Sequence, residues 1–267
     1  MPLMIKLFVT DIDGTLLVPG KKVSAKNIEA VQKMIQAGVK VVIATGRMYC
    51  AALTVAEQLT DPVPIICYNG ALIKSSSGEI LHTHYMEEAI VLKLINFFEE
   101  RGWSLQSYSD DVLYVPARDD NVKFYEDTLN VTANVVGWDG MRSRLKDVTK
   151  LLSTSANAEG TAEKLSAAKN FFGGQIEITR SAPRFAEFMA RGVTKAYAIK
   201  ILADKFGIAD DEILTIGDSE NDLPMLTGVG VGVAMGNATP AVKAACTRIT
   251  DTCERDGFAK AVYDYVL

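Results

Sequence analysis

Over the first 80 positions, short continuous apolar runs alternate with stretches of helical period. Ile5 to Thr10 (IKLFVT) is one such run, and it breaks abruptly at Asp11-Ile12-Asp13-Gly14. That is the pattern of a buried strand opening into a loop. Ser24 stands as an N-cap ahead of Ile28, Val31, Met34 and Ile35 at helical spacing, and Gly38 closes the segment. Val39 to Ala44 is β-branched and nearly continuous, as central parallel strands are. A second helix fits Tyr49 to Leu59, and Ile65 to Tyr68 reads as a third strand. Alternation with short connections predicts right-handed crossovers and a parallel sheet.

After His82 the rhythm changes. Glu87 to Arg101 carries Ile90, Leu94, Phe97 and Phe98 on one helical face, and two strand-like pieces follow at Trp103–Tyr108 and Val112–Val115. Then come a helical piece at Val122–Leu129, a strand at Val148–Leu152, a helix at Glu159–Phe172 and strands at Gln175–Thr179 and Phe185–Met189. Helices mixed with adjacent strand pairs predict an α+β unit around an antiparallel sheet. From Thr194 the first rhythm resumes: a helix to Phe206, a strand at Ile213–Ile216, a helix near Leu223, a strand at Val229–Val233, and helices at Pro240–Ala245 and Gly257–Tyr265. The middle therefore reads as an insertion, with 1–82 and 192–267 building one sheet domain and 83–191 a second domain.

Composition narrows the class. At 267 residues, 48% hydrophobic and 23% charged, the chain can bury a core without staples, and disorder, collagen and coiled coil are excluded as whole-chain readings. Its 28 Lys and Arg against 33 Asp and Glu leave no basic surplus for nucleic acid or an anionic membrane. Cys50, Cys67, Cys246 and Cys253 form no C-x-x-C pair, which suits a reducing cytoplasm better than a disulfide framework or a zinc site. The opening Met1–Leu7 has no basic stretch leading into a long apolar run and is not read as a signal peptide. No run of about 20 apolar residues exists to span a membrane.

Four clusters fall where an open α/β sheet places its ligands, past the carboxyl ends of strands. In Asp11-Ile12-Asp13-Gly14-Thr15, two carboxylates at i and i+2 sit too close to ionise comfortably without a cation. One can be a nucleophile and the other a proton carrier, although Asp-Gly turns also end many ordinary strands. In Ala44-Thr45-Gly46-Arg47, a hydroxyl, free amides and a guanidinium make an anion cradle, with a plain Thr N-cap as the competing reading. Lys195 opens a helix, where it opposes the helix dipole unless an anion or carboxylates offset it; a solvated surface Lys is the alternative. In Gly217-Asp218-Ser219-Glu220-Asn221-Asp222, two Asp one helical turn apart can point at one place, as a hard cation with retained waters requires.

In this order the clusters resemble the haloacid dehalogenase (HAD) superfamily of phosphohydrolases. Tyr68-Asn69-Gly70-Ala71 and Gly232-Val233-Ala234-Met235-Gly236-Asn237-Ala238 are similar to its Cof-type sugar-phosphate phosphatases with a C2B cap. The resemblance implies a Rossmann-like parallel-sheet core with an inserted α+β cap, and Mg2+-dependent hydrolysis of a small phosphorylated metabolite, sugar phosphates first. It further implies Asp11 as nucleophile and Asp13 as acid and base. The metal would be held by Asp11, the Asp13 backbone carbonyl and Asp218, with Asp222 ordering its waters. Thr45, Gly46, Lys195 and Asn221 would bind phosphoryl oxygens, and Arg47 and Asn69 would meet the substrate. On this reading only Mg2+ and Lys195 offset the four carboxylates.

Rival readings are a phosphomutase of the same superfamily and a non-catalytic regulator on the same scaffold. Mutases used for comparison carry the cap between the first and second motifs, and a regulator should have lost Asp11 or Asp13. Other features carry weaker chemistry. Gly228-Val229-Gly230-Val231-Gly232 mimics a dinucleotide loop, but position 235 is Met rather than Gly and no acidic partner follows, and His82 with His84 lack further ligands. Asn130-Val131-Thr132 is a sequon without secretory context, and no P-loop occurs. Trp103, Tyr108, Tyr114, Phe124 and Tyr125 read as core of the insertion. The oligomeric state is open.

Overall fold

The computed structural model describes residues 4–59 and 62–267. Met1–Leu3, on which the signal-peptide reading partly rests, lie outside them. Two compact units divide the chain: one runs to His82 and resumes at Thr194, and the other is Thr83–Val193.

The first unit begins with β1 (Leu7–Thr10), α1 (Ala25–Gln36), β2 (Lys40–Ala44), α2 (Tyr49–Ala56), β3 (Ile65–Cys67), β4 (Leu72–Lys74) and β5 (Ile80–Thr83). The inserted unit contributes α3 (Glu88–Glu99), β6 (Gln106–Ser109), β7 (Val112–Val115), α4 (Asp120–Leu129), β8 (Ala133–Val135), α5 (Gly137–Arg142), β9 (Val148–Thr154), α6 (Ala158–Phe172), β10 (Ile176–Ala182) and β11 (Phe185–Ala190). The chain then returns through α7 (Lys195–Phe206), β12 (Ile213–Gly217), α8 (Leu223–Gly228), β13 (Val231–Ala234), α9 (Pro240–Ala245), β14 (Arg248–Ile249) and α10 (Gly257–Tyr265).

The eight strands of the first sheet run β14-β13-β12-β1-β2-β3-β4-β5. β1 lies at its centre, parallel to both β12 and β2. Leu7, Phe8 and Val9 are fully buried there, each stabilising the fold by about 1.5–3 kcal/mol. Phe8 meets Phe258 of α10 edge-on at 5.5 Å. Ser24 caps α1 by accepting from the Asn27 amide, and Ala30, Val31 and Met34 form its buried face. The sequence pattern missed β4, β5 and β14, strands of two to four residues. Pieces that short carry too few alternations to register, and they exist through their pairing. The antiparallel β3–β4 pair ends the parallel part of the sheet.

The inserted sheet runs β10-β11-β9-β6-β7-β8. It is antiparallel except for β8, which returns parallel to β7 through the α4 crossover. One face is apolar: Leu151 and Phe188 join Leu94 and Phe98 of α3 and Phe172 of α6 in one cluster. The other face holds a buried polar network among apolar side chains such as Leu152 and Met189. There Lys150 Nζ is 3.3 Å from Glu187 Oε1, and Ser181 Oγ donates to that oxygen at 2.6 Å. Tyr108 OH donates to Gln106 Oε1 at 2.8 Å, and Gln106 Nε2 to Thr154 Oγ1 at 2.9 Å. Tyr108 and Tyr125 are buried, Trp103 and Tyr114 pack against the apolar cluster, and Phe124 stacks under the Arg184 guanidinium at 3.5 Å.

Candidate functional site

Every predicted site residue of the first unit sits past the carboxyl end of a sheet strand or at the first turn of the helix that follows. β1 delivers Asp11, whose amide donates to Ile216 O of β12 at 3.1 Å. β12 delivers Asp218, and the turn after it brings Asp222 back beneath the strand end. Asp222 Oδ2 accepts from the amides of Asp218 at 2.8 Å and Ser219 at 3.0 Å. This approach requires glycine at 217, because a Cβ there would lie 2.5 Å from that same oxygen. Gly14 has an analogous role: its φ is +78°, and a Cβ would meet Asp218 Oδ2 at 2.6 Å.

One carboxylate oxygen each of Asp11, Asp218 and Asp222 lie within 4.8 Å of one another. Lys195 Nζ donates to Asp11 Oδ1 and to Asp222 Oδ1, both at 2.6 Å, with no exposure to solvent. The lysine that opposes its helix dipole is therefore offset by two carboxylates. Burial pushes the Asp11 carboxyl up to about 7 against the pull of Lys195, and the charges of Asp222 and Asp13 add to the rise. Burial followed by the charges of Asp11 and Asp222 pushes Asp218 up to about 8. For Lys195, burial alone would favour the neutral amine, but the two carboxylates outweigh it and hold the ammonium above its ordinary range. Three oxygen-bearing side chains at this spacing, two of them (Asp11 and Asp218) with proton affinities raised by burial and then by neighbouring carboxylates, fit a hard divalent cation such as Mg2+.

Asp13 takes a different partner. Arg47 Nε donates to Asp13 Oδ2 at 2.7 Å and Nη2 to Oδ1 at 2.6 Å, a bidentate charged pair. The Asp13 carboxylate is thus not among the converging oxygens, and Lys195 is not the only cation set against the four acids. This corrects the charge balance read from sequence. Nη1 of Arg47 also donates to Ala51 O at 3.3 Å, which ties the guanidinium to α2. No spacing rule relates Arg47 to Asp13 in the sequence.

Thr45 and Gly46 form the loop that ends β2. The Thr45 hydroxyl accepts from the Arg47 amide at 3.1 Å, and the Thr45 amide donates to Ile66 O at 2.8 Å. Asn69 and Asn221, both buried, meet each other: Asn221 Nδ2 donates to Asn69 Oδ1 at 3.0 Å. Two supporting residues stood inside the sequence motifs without an assigned role. Thr15 Oγ1 donates to Asp218 Oδ1 at 3.3 Å. Asn237, known only from the Gly-Asn turn after β13, donates to Gly14 O at 2.8 Å and accepts from the Cys253 amide at 2.8 Å. His82 has a local partner, Tyr197 OH, 3.0 Å from its Nε2.

Comparison with known proteins identifies relatives of the chain. The profile of the haloacid dehalogenase-like hydrolases matches residues 8–262. The chain is 32% identical to the 5-amino-6-(5-phospho-D-ribitylamino)uracil phosphatase YitU of Bacillus subtilis, over 97% of both chains. It is 31% identical to YcsE of the same organism, which carries the same enzyme name, over 98% of this chain and 96% of that one. Among solved structures, TM0651 from Thermotoga maritima superposes with a TM-score of 0.83 at 28% identity, covering 99% of this chain and 98% of that one. The HAD subclass IIB sugar phosphatase BT4131 superposes at 0.84 and 28% identity, covering 97% and 98%.

Proposed function

The chain belongs to the haloacid dehalogenase-like hydrolase family, and on that premise we propose that it is a Mg2+-dependent phosphatase of small phosphorylated metabolites, phosphorylated sugars and polyols first among them. Phosphatase chemistry itself is what its relatives share. The observation that carries the reading is the Lys195 ammonium bonded at once to Asp11 and Asp222, with Asp218 beside them.

Asp11 attacks phosphorus through a carboxylate oxygen, forming the Asp11–phosphorus bond as the ester oxygen departs. Asp13 donates the proton that the leaving oxygen needs. Water then attacks phosphorus, Asp13 takes its proton, and the Asp11–phosphorus bond breaks to release phosphate. Mg2+, held by Asp11, Asp218 and the Asp13 carbonyl with Asp222 behind, would supply charge neutralisation for the phosphoryl oxygens. Thr45, Gly46, Lys195 and Asn221 bind those oxygens, so catalysis is mostly positioning and electrostatics. Arg47 holds the Asp13 carboxylate in a fixed plane between its two proton transfers.

The inserted unit supplies specificity, since a phosphoryl group alone cannot distinguish metabolites. Two relatives named for a phosphorylated ribityl chain and one solved sugar phosphatase support polyhydroxylated leaving groups. The test is turnover of p-nitrophenyl phosphate and a panel of phosphorylated sugars, polyols and nucleotides, with Mg2+ and with EDTA. Turnover in Mg2+ that EDTA abolishes, highest on polyol esters, is expected. Full activity in EDTA, or none on any ester, overturns the reading.

A further inference from the structure

β3 is followed by three residues in the left-handed region: Tyr68, Asn69 and Gly70 have φ of +51°, +55° and +113°. Glycine adopts this freely and asparagine tolerates it, but an aromatic residue there is an outlier. Such backbone persists where the surroundings over-determine it, and it concentrates at functional sites. Tyr68 and Asn69 are each 1% exposed, so no solvent contact relieves them.

The surroundings are three of the loops that form the proposed phosphate site. The Tyr68 amide donates to Arg47 O and the Asn69 amide to Thr45 O, both at 3.0 Å, clamping the loop after β2. A Cβ on Gly70 would stand 2.2 Å from Thr194 O, so the turn rests directly on the residue before Lys195. Asn69 Oδ1 accepts from Asn221 Nδ2. An amide nitrogen carries two hydrogens in one plane, so engaging one of them aims the other.

We propose that Asn69 is a positioning residue that acts through Asn221 and the Thr45 loop, not through contact with the substrate. The proposal rests on the phosphate-site reading above. The strained turn is the link that sets three loops, far apart in sequence, at one spacing, and the Asn69 side chain carries that link to Asn221.

The experiment compares Asn69→Gly with Asn69→Ala and pairs each with Asn221→Ala. Readouts are kcat and KM for p-nitrophenyl phosphate with Mg2+, inorganic phosphate binding by calorimetry, and Tm. Asn69→Gly keeps the backbone its φ requires, so its Tm should fall less than that of Asn69→Ala while phosphate affinity and kcat/KM fall by about 10–100-fold. Asn69→Ala should lose the same function and more Tm, because alanine's Cβ is strained at the positive φ. The Asn69→Gly/Asn221→Ala double variant should be no worse than the weaker single, since the pair acts as a unit. Wild-type phosphate binding and turnover in Asn69→Gly, or losses that multiply in the double variant, overturn the proposal. A wild-type protein without turnover sinks the phosphatase reading instead, and the phosphate titration then decides the positioning role alone; no phosphate binding by wild type overturns it.

Discussion

Lys195 Nζ and Asp11 Oδ1 lie 2.6 Å apart although 184 residues separate them. The ammonium is fully buried and also bonded to Asp222. Lys195→Met would leave two buried carboxylates without their cation, a change that costs about 3–5 kcal/mol when one partner of a buried pair is removed. Urea denaturation should show that loss in EDTA and a smaller one in Mg2+, since a bound cation stabilises the native state. An unchanged midpoint in EDTA would contradict the pairing.

Asp11→Asn removes the attacking oxygen's charge but almost no volume. Turnover should fall by several powers of ten, the scale on which a lost covalent route registers, while circular dichroism stays native and melting stays cooperative. Near wild-type kcat in the pure variant would remove Asp11 as nucleophile.

The acids set the pH response. Folded Asp11 at about 7 and Asp218 at about 8 both stand above the ordinary 3.8. The metal-free native state therefore holds protons that the unfolded chain has already lost. The contribution of these two groups to stability is complete below about pH 4 and is lost as pH rises through about 7 to 8. A divalent cation must displace the same protons, so apparent Mg2+ affinity should climb across that window. Melting in EDTA between about pH 6 and pH 8, with Asp218→Asn as the comparison, measures the first effect, and Mg2+ titration measures the second. A wild-type profile no steeper than that of Asp218→Asn would refute it. Ca2+ should support turnover poorly, because it prefers more ligands at longer distances.

Arg47→Lys keeps the charge and loses the bidentate grip on Asp13. A phenol leaves readily without a proton, but a sugar alkoxide does not. The variant should therefore lose about tenfold or more in kcat on alkyl phosphates and distinctly less on p-nitrophenyl phosphate. Equal losses on both would mean that Arg47 serves the phosphoryl group and not the proton carrier.

In the inserted unit, Lys150 and Glu187 form an ion pair with side-chain exposures of 1% and 2%. Lys150→Met alone should cost about 3–5 kcal/mol, and Lys150→Met with Glu187→Leu should regain much of it, because an apolar pair avoids the desolvation of both charges. Chemical denaturation of the two variants decides the matter. A double variant less stable than the single would show that the pair stabilises the fold outright.

The α/β fold was legible because strand and helix periods are local. Ile5–Thr10, Val39–Ala44 and Ile213–Ile216 are apolar on both faces, which marks strands covered by helices on each side. The clusters at 11–15, 45–47, 195 and 217–222 were legible for a related reason: they interrupt apolar runs where a sheet ends. Lys195 opening a helix pointed to an offsetting anion or carboxylates, with a solvated surface lysine as the alternative, and the structure supplies Asp11 and Asp222. The tertiary structure alone decided how those groups pair. That Arg47 closes on Asp13 and that Asn221 meets Asn69 depends on loops from β1, β2, β3 and β12 arriving at one sheet edge. The same holds for the left-handed Tyr68 and for Gly217, whose missing Cβ makes room for Asp222. Periodicity records which side of an element meets water. Charge balance and amide orientation depend on distances of about 3 Å between residues up to two hundred positions apart, and no local pattern encodes them.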